Sequence, residues 1–77
     1  MKKNESTKRF TYVVYFPHGD EVVFLSESGG RTKDPIDACY FGCTKKDLGE
    51  ARFVSKNKKG SLVGILCETS TFTLHDA

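Results

Sequence analysis

The strongest constraint on this chain is the run Phe10-Thr11-Tyr12-Val13-Val14-Tyr15-Phe16, in which aromatic and β-branched residues fill both sets of alternating positions. Successive side chains of a strand point to opposite faces, so the run predicts a strand that is apolar on both sides. Such a strand is central in its sheet or covered. The chain has 77 residues, and one of this size buries only about 60 to 65% of the surface its unfolded form exposes. One core, one sheet and about one helix are what it holds.

The segments on either side complete the outline. Residues 1–8 carry no apolar periodicity, and Lys2, Lys3 and Lys8 outweigh Glu5, so a flexible basic arm is expected there. Residues 9–77 are then a single domain. Pro17-His18-Gly19-Asp20 is turn chemistry, and Glu21-Val22-Val23-Phe24-Leu25-Ser26 returns as a second strand to make a hairpin. The stretch from Glu27 to Lys33, with the glycine pair Gly29-Gly30, breaks both periodicities and reads as a mobile loop.

Asp34-Pro35-Ile36-Asp37 is the best helix start, with Asp34 as N-cap and Pro35 in the first helical position. A helix from there places Ile36, Cys39, Tyr40 and Cys43 on one face, against the helix-breaking Gly42 and the β-leaning pair Tyr40 and Phe41. Thr44-Lys45-Lys46-Asp47 is a second cap, from which a short turn of helix continues or restarts through Ala51. Arg52 to Lys56, a turn at Asn57-Lys58-Lys59-Gly60 and Ser61 to Cys67 are expected to form a second hairpin. Phe72 and Leu74 alternate with polar neighbours and allow a last strand. The expected fold is α+β: a small antiparallel sheet of four or five strands with one helix packed on a face, in the order ββαββ with room for a further β.

Composition narrows the function. Hydrophobic residues make up 38% and charged residues 29%, as in folded proteins. The longest apolar runs fall far short of the roughly 18 to 20 residues that cross a bilayer, and the basic start is not followed by the hydrophobic segment of a secretory signal. Three cysteines, an odd number, suit a reducing compartment better than a disulfide framework. A cytoplasmic protein with no membrane contact is expected.

Sites for chemistry are weak. Cys39 and Cys43, with Cys67 and either His18 or His75, contain enough donors for a zinc site but lack the ligand spacing of one, and all three cysteines sit in apolar runs where packing explains them. A nucleophilic Cys39 would have Asp34 and Asp37 before it, whose charge opposes thiolate formation. Gly29-Gly30 lacks the Lys-Ser or Lys-Thr of a phosphate loop, and no paired carboxylates are recognisable. No cofactor is expected, and the chain reads as non-enzymatic.

Charge segregation stands above this background. Lys45, Lys46, Arg52, Lys56, Lys58 and Lys59 face only Asp47 and Glu50 within residues 44–60, a net +4, whereas residues 17–37 hold five acids against Arg31 and Lys33, a net −3. Opposite charges on one small body orient docking. The leading expectation is therefore a small regulator or inhibitor that binds a larger protein or protein complex through the six cations, with proportions shared by inhibitors encoded by phages and mobile elements. The alternative is a nucleic-acid-binding domain that lays the basic hairpin 52–60 and the arm along phosphates. A cysteine-centred metal or catalytic protein is third, and an open sheet edge leaves room for a homodimer.

Overall fold

The computed structural model describes residues 9–68 and 72–77. It is α+β: one antiparallel sheet of five strands and a single α-helix. Strand β1 is Arg9–His18, β2 is Glu21–Leu25, β3 is Arg31–Thr32, β4 is Leu62–Glu68 and β5 is Phe72–Asp76. Helix α1, Lys45–Lys56, stands between β3 and β4 in the chain. The spatial order is β3-β2-β1-β4-β5, so the doubly apolar strand is the central one.

Its two sets of side chains build two cores. Val14 and Phe16 pack with Leu25 and Ala51 on the face that carries α1, joined by Tyr12, Val23, Phe41, Val54 and Val63. Val13 and Tyr15 pack with Phe24, Leu66 and Ala38 on the opposite face, joined by Val22 and Leu74. Val13 and Val14, adjacent in sequence, are both fully buried. Each buried valine contributes on the order of 1.5 to 3 kcal/mol relative to leaving it exposed, and only a strand covered on both faces gains from neighbours in this way.

The segment that follows β3 contributes to both cores, Ala38 to the second and Phe41 to the first. Asp34 does cap a turn, accepting from the Ile36 amide at 3.0 Å, with Pro35 at its start. That turn is a single 3-10 turn, Pro35–Asp37, and the helix expected to run on to Cys43 does not form. Ala38 is already extended and bridges to Ser26. The Cys39 amide then donates to the Leu25 carbonyl at 2.8 Å, Phe41 donates to Tyr12 at 3.0 Å, and Tyr12 donates to Gly42 at 2.8 Å. These bonds fill the side of β1 that lies beyond the end of β2. Ile36, Cys39, Tyr40 and Cys43 consequently share no helical face. The β-leaning pair Tyr40-Phe41 prevails because extended backbone satisfies β1, which a helix would leave unpaired.

Gly42 ends this segment at φ 110, where a Cβ would overlap the Asp47 carboxylate. That carboxylate is held by a complete capping box: the Thr44 amide donates to Asp47 Oδ2 at 3.0 Å and the Asp47 amide donates to Thr44 Oγ1 at 3.1 Å. The second cap is thus the one that opens the helix. From it Leu48, Ala51, Val54 and Ser55 recur at three-to-four-residue spacing and turn inward. Residues 52–56 belong to this helix, so the second hairpin expected at 52–67 is corrected to a helix, a turn at 57–60 and a strand. The same 3.6-residue spacing that buries Ala51 and turns the half-buried Val54 inward overrides the short β-leaning run Phe53-Val54.

The stretch expected as a mobile loop contains a turn, with the Ser26 amide donating to the Gly30 carbonyl at 2.9 Å, and the short strand β3. β5 forms as the last strand over 72–76; residues 69–71 and the arm at 1–8 lie outside the described residues. The outer strands of the sheet are β3 and β5. Among the described residues, no helix is long and apolar enough to cross a membrane.

Candidate docking face on helix α1

A helix with one buried stripe necessarily exposes the other. Leu48, Ala51, Val54 and Ser55 turn toward β1 and β4, which leaves Lys46, Gly49, Phe53 and Lys56 as the outward stripe, each three or four residues from the next. Lys45 and Arg52, seven apart, run beside it and are exposed. Phe53 lies on this stripe, one turn after the exposed Glu50 and one turn before Lys56, with 69% of its surface open to solvent. No ion pair to any of the six cations is found among the described residues.

Four of the six expected site residues, Lys45, Lys46, Arg52 and Lys56, therefore lie on one helix. Lys58 and Lys59 follow in the turn that leaves it, where Ser61 Oγ donates to the Lys58 carbonyl at 2.6 Å and the Asn57 side chain donates to the Phe53 carbonyl at 2.9 Å. The second bond satisfies a carbonyl of the last helical turn, and the first, beside the Ser61 amide's bond to the same carbonyl, closes the turn that follows. The basic charges run along a convex helix and its following turn instead of a hairpin.

Phe53 was not singled out by reading the sequence as strands, because in a hairpin it would have been an ordinary core aromatic. The signal was present nonetheless. Read helically from Thr44, the apolar positions 48, 51 and 54 define an inward stripe, and Phe53 falls outside it. Gly49 is the second unexpected feature: a Cβ there would meet nothing within 4 Å. Glycine in a helix interior costs about 1 kcal/mol relative to alanine, and no crowding in the fold requires it. It leaves the exposed helix surface one turn before Phe53 without a side chain.

The acids expected to form an opposing region are spread out. Asp20 and Glu21 sit at the β1–β2 turn, Glu27 lies beyond the other end of β2, and Asp34 and Asp37 are on the 3-10 turn. Lys33 pairs with Glu21 at 3.0 Å, and that bond holds the Glu21 carboxyl below its ordinary range. Arg31 is engaged with an aromatic ring, its guanidinium carbon 4.0 Å from the centre of Phe16.

The cysteines occupy three settings. Cys43 is exposed immediately before the helix cap, Cys67 is half-buried in β4 opposite Phe10 and Thr73, and Cys39 is half-buried in the extended segment. Burial, followed by the charges of Glu27 and Glu50, pushes the Cys39 thiol up, which is the reverse of what a nucleophile requires. Among the described residues no group of three or more His, Cys, Asp or Glu side chains could hold a metal ion. His18 and His75 are exposed at the ends of β1 and β5. Compared with family models, with curated proteins and with solved structures, the chain shows no significant match.

Proposed function

We propose that this protein is a non-enzymatic binding module, a small cytoplasmic regulator or inhibitor that docks the outer face of α1 on an acidic surface of a larger protein. The observation that carries this reading is Phe53, 69% exposed on the helix that also carries the exposed Lys45, Lys46, Arg52 and Lys56. A single desolvated aromatic surrounded by rim charges is the arrangement of a binding hot spot: the ring supplies affinity, and the cations supply orientation and on-rate. Gly49 lets a partner backbone approach beside the ring. Lys58 and Lys59 extend the same positive field past the helix end.

Nucleic acid is the competing partner, favoured by the continuation of the cations through Lys58 and Lys59. Single-strand binders combine a basic groove with several stacking aromatics. Here one ring stands on a convex helix with Glu50 on the same exposed surface, which fits an apolar recess in a protein better than a run of bases.

The test is capture from a lysate of the source cell by the wild type and by Phe53→Ser, with and without nuclease, followed by direct titration of the captured species. The expected result is one protein that survives nuclease, is lost with Phe53→Ser, and binds the purified wild type with an affinity that falls moderately with salt. Recovery of nucleic acid, or binding that Phe53→Ser leaves intact, would sink this reading.

A further inference from the structure

Phe53 has a counterpart on another element of the fold. Ile36, on the 3-10 turn, is also 69% exposed. Beside it Tyr40 is 46% exposed and donates its hydroxyl to the Pro35 carbonyl at 2.9 Å, so that Tyr40 is fixed against the turn. The flanking charges are Asp34 and Asp37, both exposed, and neither forms an ion pair among the described residues. One exposed apolar side chain is thus flanked by two carboxylates, and the other lies on a helix whose exposed charges are four cations and Glu50.

The turn and the helix that carry the two side chains are anchored in different cores. Ala38, which anchors the Ile36 turn, packs with Val13, Tyr15, Phe24 and Leu66; Ala51, which anchors α1, packs with Val14, Phe16 and Leu25. Adjacent residues of β1 point in opposite directions, so Ala38 and Ala51 are anchored on different faces. A second copy can bring the Ile36 turn and α1 together.

We propose that the chain associates with itself head to tail, the Ile36–Tyr40 knob of one copy seating beside Phe53 at Gly49 of the next. Asp34 and Asp37 then face Lys45, Lys46, Arg52 and Lys56. The occupant is argued from charge complementarity: one sequence carries both halves, opposite in sign and each carrying an exposed apolar side chain. A contact between two different surfaces leaves one of each free at the ends, so assembly continues with concentration unless the geometry closes a ring. Two small knobs make a weak interface, with dissociation expected between about 10 μM and about 1 mM. The same α1 face serves the docking proposed above, so assembly and partner binding exclude one another, although the self-association stands whether or not that partner exists.

The test uses the full chain in analytical ultracentrifugation. Ile36→Ser and Phe53→Ser each remove one knob and leave the other; both positions are exposed, and unchanged circular dichroism confirms the fold of each variant. The expected result is a wild type whose average mass rises with concentration and falls with added salt, two variants that are each monomeric, and a one-to-one heterodimer when the variants are mixed. Self-association and partner docking are separated by Ile36→Ser, which loses the first and keeps the second. A wild type that stays monomeric up to about 1 mM overturns the proposal. So do single variants that still associate, which would point to pairing at the β5 edge, or a mixture that forms no heterodimer.

Discussion

The Tyr15 hydroxyl donates a 2.8 Å hydrogen bond to Asp76, passing from β1 over β4 to the outermost strand β5. It crosses at Gly64, where a Cβ would stand 2.8 Å from the Tyr15 ring, 2.8 Å from Leu74 and 3.0 Å from the His75 carbonyl. One missing side chain in β4 thus lets a residue of the central strand tie down the sheet edge. The buried ring closes the core on the face away from α1.

This bond gives the protein an alkaline limit. Burial first, then the hydrogen bond to Asp76 and its charge, raise the Tyr15 phenol above its ordinary 10.0. With the folded-state value above the unfolded one, the stabilisation is fully present below pH 10.0 and is lost as pH rises through the folded-state value. Tyr15→Phe is expected to lose about 1 kcal/mol at neutral pH and to flatten the decline above about pH 10. Urea midpoints measured across the alkaline range check both; an unchanged alkaline slope would remove Tyr15 as its cause.

Gly64→Ala should be among the more damaging small substitutions. The added methyl meets the ring of a packed tyrosine and a backbone carbonyl, so overpacking is expected to cost about 1 to 3 kcal/mol. Combining it with Tyr15→Leu, which removes the crossing ring, should give a loss smaller than the sum of the two single losses. A double-mutant cycle by denaturant unfolding reads that coupling.

The helix cap gives an acid limit of opposite sign. Hydrogen bonds from the Thr44 backbone and side chain are the largest causes that hold the Asp47 carboxyl below its ordinary 3.8. Its contribution is present above pH 3.8 and is lost as pH falls through the folded-state value. Thr44→Ala should cost about 1 kcal/mol, and Asp47→Ala should flatten the acid slope of helix content followed by circular dichroism.

The three thiols should differ in reactivity in an order set by their surroundings. Cys43 is exposed, whereas Cys39 is half-buried with its thiol pushed up by burial, Glu27 and Glu50. Timed iodoacetamide labelling read by mass spectrometry is expected to modify Cys43 first and Cys39 slowest, and Glu50→Gln should speed Cys39. Equal rates at Cys39 and Cys43 would contradict the placement of both.

By itself the sequence determined what local pattern controls. The two-faced apolar run made β1 the central strand, His18-Gly19-Asp20 closed the first hairpin, and the alternation at Phe72 and Leu74 became β5. It also located the six cations, because composition needs no geometry. Tertiary structure decided between competing local signals. Asp34-Pro35 and Thr44-Asp47 are both good caps, and only the second opens a helix. Residues 38–42 are needed as extended backbone beside β1, where Tyr12 has polar groups to satisfy, and Gly42 must clear the Asp47 carboxylate. Once α1 starts at Lys45, its 3.6-residue period turns Ala51 and Val54 inward and carries Phe53 outward. The proposed docking face is therefore a consequence of which cap prevailed, and that choice was made by hydrogen bonds between residues up to 31 positions apart in the chain, outside any local window.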